Sequence, residues 1–171
     1  MSTRKKRYII SYVLLVAAYI LQTTLVREIA IFKVSPSLIL VSVVCFSLVN
    51  EPVGAAVYGG IAGILMDISS GRTLGFNAVL MMYLALLVVF AGQEFFRDTL
   101  RSATFVVVLS TVVYEVVYAF FNFAIFGDSS FWYMIFRVVL VEALYNAVFA
   151  PFVYMLYRRF LKIRTGHSLF D

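Results

Sequence analysis

Three apolar stretches, residues 8–26, 104–126 and 134–157, each meet or approach the roughly 20 residues that carry a helix across a bilayer's hydrocarbon layer. Runs of that length are too long for the soluble core of a 171-residue chain. Charged residues are only 13% of the sequence and collect between the runs, where loops would hold them. The class that follows is an all-α, polytopic membrane protein, with residues 1–171 forming a single integral membrane domain.

Arg4, Lys5, Lys6 and Arg7 precede the first run as they would in a signal peptide. The run is long, however, and Tyr19-Ile20-Leu21-Gln22 is too bulky for a cleavage site, so the segment reads as a retained span. Six spans fit best, at about 8–26, 36–50, 52–67, 76–93, 103–126 and 134–157. Both termini then lie in the cytoplasm with Arg97 and Arg101, which places ten basic residues inside. Arg27, Lys33 and Arg72 lie outside and Arg137 falls within the last span, which accounts for all 14. That asymmetry is a strong positive-inside signal.

The second and third spans are thin. Residues 36–50 make about 22 Å of helix, at 1.5 Å per residue, against a core of ~30 Å. Asn50-Glu51-Pro52 suits a helix start, with Asn50 or Glu51 as cap and the proline in the first turn. Two thin spans and a re-entrant hairpin share the same parity, so charge counting leaves both open.

The third span carries small residues every four positions: Ala55, Gly59 and Gly63 on one ridge, Ala56 and Gly60 on another. Gly59-x-x-x-Gly63 permits close helix approach, either for ordinary packing in the bundle or for a partner's helix. The next step on that ridge is Asp67, where the helix should be ending. A helix C-terminus disfavours a carboxylate, so Asp67 needs a partner: free amides of the turn, Arg72, or another protein. The turn itself holds Ser69, Ser70, Gly71 and Gly75, and a new apolar run opens after Asn77.

Ionisable residues within spans are costly and so are functional candidates. Glu115 lies mid-span in the fifth helix with Asn122 two turns beyond, and Glu142 and Asn146 share a face of the sixth. Arg137, near the outer end of the sixth, can snorkel to headgroups. Counting from Ala103 and Met134, Glu115 and Asn146 fall at equal depth, about 18 Å in. Antiparallel neighbours would pair them, with Glu142 one turn outward. The bland reading of this set is interhelical glue that fixes register; the sharper one is proton or substrate handling.

Catalytic chemistry has little to draw on. The one histidine, His167, sits in a basic tail, and Cys45 stands alone in an apolar run. No His/Cys metal cluster can form from them, and no cofactor is expected. Ser69-Ser70 has no nearby base. Basic clusters beside spans are expected for orientation and contact with anionic lipid, with no nucleic acid needed.

The short hairpin, the Gly-spaced third helix and the run Asp67-x-x-Ser70-Gly71-x-x-x-Gly75-x-Asn77 resemble the MreD family of bacterial rod shape-determining membrane proteins. Pro36-Ser37-Leu38-Ile39-Leu40 is similar to that family's helix opening, with Ser37 where an acid is usual. The resemblance implies a non-enzymatic component of the cell-wall elongation machinery in the bacterial inner membrane. Its implied partners are MreC and, through the rod complex, the MreB filament, RodA and a class B penicillin-binding protein. The implied partner-binding residues are Gly59, Gly63, Asp67, Ser70, Gly71, Gly75 and Asn77. The family fold is similar to the six-helix substrate-binding subunits of energy-coupling-factor transporters, which favours six spans and supplies the rival, a vitamin-binding transporter subunit. Against the rival, the first span has only the adjacent Ala17 and Ala18 as alanines, and polar residues for an outer vitamin cage are few.

Overall fold

The computed structural model describes residues 3–24, 36–71, 75–95, 99–126 and 138–161. All secondary structure in them is helical: α1 (Thr3–Thr24), α2 (Leu38–Ser47), α3 (Pro52–Ser70), α4 (Phe76–Phe95), α5 (Leu100–Phe126) and α6 (Leu140–Leu161). Four of these, α1, α3, α5 and α6, are long and apolar enough to cross a membrane. The apolar part of α4, Phe76–Gly92, is shorter, and α2 has 10 residues, about 15 Å of helix.

Local chemistry explains several boundaries. Glu51 is extended at the start of α3 and Pro52 occupies its first turn, where a missing N–H costs nothing. Gly71 ends α3 in the left-handed region (φ 63°), with its N–H on the Asp67 carbonyl at 3.1 Å. Thr99 caps α5 by accepting the Ser102 N–H at 3.3 Å.

α2 is the centre of the molecule. It touches each of the other helices, and all ten of its residues are buried. A helix apolar on every side has no face to offer water and belongs inside a bundle. It runs antiparallel to α1: the Ile39 N–H donates to Gln22 Oε1 at the far end of α1 (3.0 Å). At the near end, Val49, Asn50 and Glu51 line a small polar pocket with Arg7 and Tyr8. The remaining helices form two tight antiparallel pairs, α3 with α4 and α5 with α6, around this axis. Large apolar side chains such as Val53, Ile61, Phe90, Phe105 and Phe152 cover the outside. That is the distribution expected of a surface that meets lipid tails.

Candidate functional site

The Gly59/Gly63 ridge faces α4 of the same chain. A Cβ on Gly59 would lie 2.6 Å from the Met81 carbonyl oxygen, and one on Gly63 would overlap Asn77 O and the Ala78 backbone. The two backbones therefore touch, and a helix from another protein has no room on this ridge. Gly60, on the neighbouring ridge, has nothing within 4 Å of where its Cβ would be.

This close approach delivers Asp67, one turn beyond Gly63, to the start of α4. The side chain is buried at 1% exposure. Its Oδ1 accepts the Asn77 backbone N–H (3.1 Å) and side-chain amide (2.8 Å), while Oδ2 accepts the Gly75 N–H (2.8 Å) and the Ala78 N–H (3.3 Å). Gly75 (φ 94°) begins α4 without a side chain that could cap it, so the carboxylate from α3 serves as the cap. Of the partners open to Asp67 in the sequence, the structure shows the turn's amides engaged. The carboxylate disfavoured at the end of its own helix sits at the favourable positive end of the next. Asn77 passes the connection on: its Oδ1 accepts the Tyr114 hydroxyl of α5 at 2.7 Å. Ser70, Gly71 and Gly75 lie at the exposed rim of this hairpin, with Ser70 Oγ on the Asp67 carbonyl at 3.2 Å. Arg72 lies outside the described residues.

A second polar set joins α5, α6 and α2. Asn146 is fully buried; its side-chain amide donates to Thr111 Oγ1 and its Oδ1 accepts the Ser37 N–H, both at 3.0 Å. Ser37 is the N-cap residue of α2 yet makes no cap bond of its own, so Asn146 and Gln22 supply acceptors for the amides there. Ser37 Oγ is buried with no hydrogen-bond partner among the described residues. Glu115 of α5 lies beside Glu142 of α6, while Asn146 is engaged with Thr111. The expected pairing is thus shifted by one turn: Thr111 and Glu115 on α5 meet Asn146 and Glu142 on α6 as two rungs of an antiparallel ladder. Asn122 spends its amide within α5, on the Tyr118 carbonyl at 3.0 Å. Arg137 lies outside the described residues.

A third cluster had no counterpart in the sequence reading. Ser42 of α2, Tyr58 of α3 and Tyr157 of α6 bring three hydroxyls together at 2.5–3.0 Å, and Tyr58 also donates to the Ser11 carbonyl of α1 at 3.2 Å. Phe46 stacks on the Tyr58 ring, centroids 4.0 Å apart. The only available signal was three hydroxyl residues lodged in apolar runs; Tyr114, Thr111 and Gln22 were equally silent.

Fold and site together define a class: a multi-pass helical membrane protein whose described intramembrane polar groups mostly bind one another. The chain belongs to the MreD family, described as rod shape-determining protein MreD, whose sequence model matches residues 2–160, nearly the whole chain. It is therefore a rod shape-determining membrane protein. No curated protein and no solved structure matches it.

Proposed function

We propose that this protein is a non-catalytic scaffold of the cell-wall elongation complex, binding MreC and through it positioning RodA, a class B penicillin-binding protein and the MreB filament. The observation that carries the reading is the family match across residues 2–160. The interior supports it. Asp67 and Asn77, two of the polar residues that could face an outer vitamin site, are bound to each other at the start of α4.

The six helices cross the membrane in this reading. α2 leaves the level of Gln22 and reaches that of Arg7 and Tyr8, which favours a thin span over a re-entrant loop. In this reading the bundle takes the six-helix transporter-subunit fold that the family resemblance implies. Both termini lie in the cytoplasm of a bacterial inner membrane, with the α3–α4 turn outside. In a Cys45→Ala background, an impermeant thiol reagent should label Ser70→Cys in intact spheroplasts and leave Thr99→Cys unlabelled. The reverse pattern would invert the topology.

Ser70, Gly71 and Gly75 form the exposed part of the proposed partner surface, and Gly59, Gly63, Asp67 and Asn77 hold its shape from within. Ser70→Arg changes the rim without touching the buried cap. In rod-shaped cells relying on the variant, it should accumulate at normal levels, recover less MreC and let cells widen. Normal MreC recovery would remove the rim from the interface. A vitamin retained stoichiometrically by the purified wild-type protein would overturn the scaffold reading itself.

A further inference from the structure

α4 and α5 meet at one end of the bundle and part at the other. At the Gly75 end they are joined by the Tyr114–Asn77 hydrogen bond and by Phe76 against Tyr118 and Phe121, with ring centroids 5.9 and 5.4 Å apart. Toward the start of α5 they diverge around a groove of about 690 Å³. Its walls are Leu87, Val88 and Ala91 of α4 and Val106, Leu109 and Val113 of α5, and Arg101 lines it at the start of α5. A second apolar depression, about 540 Å³, lies on the other flank of α5, against Pro151 of α6. Arg101 and Phe105 line both.

From Arg101 to Val113 is about 18 Å of helix, little more than the ~15 Å that is half of a ~30 Å hydrocarbon core. A transmembrane helix of a partner needs a seat through the full thickness, and this one ends at Val113, next to the Tyr114 that ties α5 to Asn77 of α4. A lipid tail needs one leaflet only. Arg101 is exposed, has no ion pair among the described residues, and sits where an arginine reaches headgroups. Two apolar slots that meet at a single cation match the two tails and one anionic head of a phospholipid, and the chain's net charge of +5 favours the same sign of partner.

We propose that α5 is straddled by one anionic diacyl phospholipid from the leaflet on its N-terminal side, with the phosphate on Arg101, one tail in the α4–α5 groove and the other in the α5–α6 depression. The full chain, in nanodiscs of phosphatidylcholine with a minority of phosphatidylglycerol, should release into native mass spectrometry with phosphatidylglycerol retained. Arg101→Gln should lower that retention about fivefold, and Arg159→Gln, an exposed cation also near the end of the bundle, should leave it within a factor of about two. Ala91→Phe fills the groove and should abolish retention; Ala91→Leu, a smaller plug, should lower it and serves if the larger variant does not fold. Equal losses in the two arginine variants, or wild-type retention in a folded Ala91 variant, would reduce the lipid to loose surrounding solvent. A photo-crosslinker at Leu109 in native membranes should join to lipid; a crosslink to polypeptide would give the groove to a protein partner and overturn the proposal.

Discussion

Asp67 and Asn77, ten residues apart, are bound twice through one carboxylate oxygen, which accepts both the backbone N–H and the side-chain amide of the asparagine. The other oxygen closes the same turn from Gly75 and Ala78. The α3–α4 hairpin is locked by this cap at its tip and by backbone contact at Gly63 one turn below. Tyr114 then ties it to α5.

Graded removal of this lock should give graded losses. Tyr114→Phe deletes one neutral hydrogen bond and should cost about 1 kcal/mol. Asp67→Asn puts an amide against N–H donors and should cost more. Asp67→Ala strands the Gly75, Asn77 and Ala78 amides and should cost most, about 3 kcal/mol or above, at ~1–3 kcal/mol per stranded group. Thermal midpoints in one detergent should follow that order; an Asp67→Ala midpoint equal to wild type would deny the carboxylate its capping role.

Two glycines on the same helix provide a sharper comparison. Gly63→Ala pushes a methyl into the Ala78 backbone and should destabilise by about 1–3 kcal/mol, the usual range for overpacking. Gly60→Ala meets open space and should be neutral or stabilising by up to ~1 kcal/mol through helix propensity. Equal melting temperatures for the two variants would contradict the packing of α3 on α4.

Across α5 and α6, Asn146→Leu removes the acceptor for the Ser37 N–H and the donor to Thr111 together. A loss of about 2–3 kcal/mol is expected, because the α2 amide is then buried without a partner. In a double-mutant cycle with Thr111→Val, the second substitution should add little once Asn146 is gone. Strict additivity would separate the two residues.

The three hydroxyls of Ser42, Tyr58 and Tyr157 have three protons for four close contacts, counting the Ser11 carbonyl. Any single removal leaves a bonded pair, so Tyr157→Phe or Ser42→Ala should each cost only about 1 kcal/mol. Removing both Ser42 and Tyr58 hydroxyls leaves Tyr157 stranded in the core. The double variant should therefore exceed the sum of its parts by ~1 kcal/mol or more.

Much of this is legible in the sequence. The four-residue spacing of Ala55, Gly59 and Gly63 fixes which face of α3 is smooth, and the electrostatics of a helix end require a partner for Asp67. What spacing cannot say is whose helix lies on the smooth face; that depends on a hairpin turn whose geometry is tertiary. The α5–α6 ladder was displaced by one turn because helix starts read from sequence are uncertain by a few residues. Here α5 begins at Leu100 instead of Ala103, and each residue moves the depth by 1.5 Å. The hydroxyl cluster was invisible because Ser42, Tyr58 and Tyr157 lie on three helices, 99 and 115 residues separating Tyr157 from the other two. No local periodicity registers such a meeting.

The dependence of α2 on Asn146 has a consequence for how the protein is made. The central helix emerges early, but the acceptor for its Ser37 amide arrives 109 residues later. At roughly 5–20 residues per second of synthesis, that is a wait of about 5–20 seconds. Throughout it the middle of the molecule is provisional, held at that end by Gln22. A nascent or truncated chain without α6 lacks the side-chain acceptor for the Ser37 amide at its axis. Completion of the last helix is thereby registered at the centre of the bundle, before the finished surface can be offered to anything else.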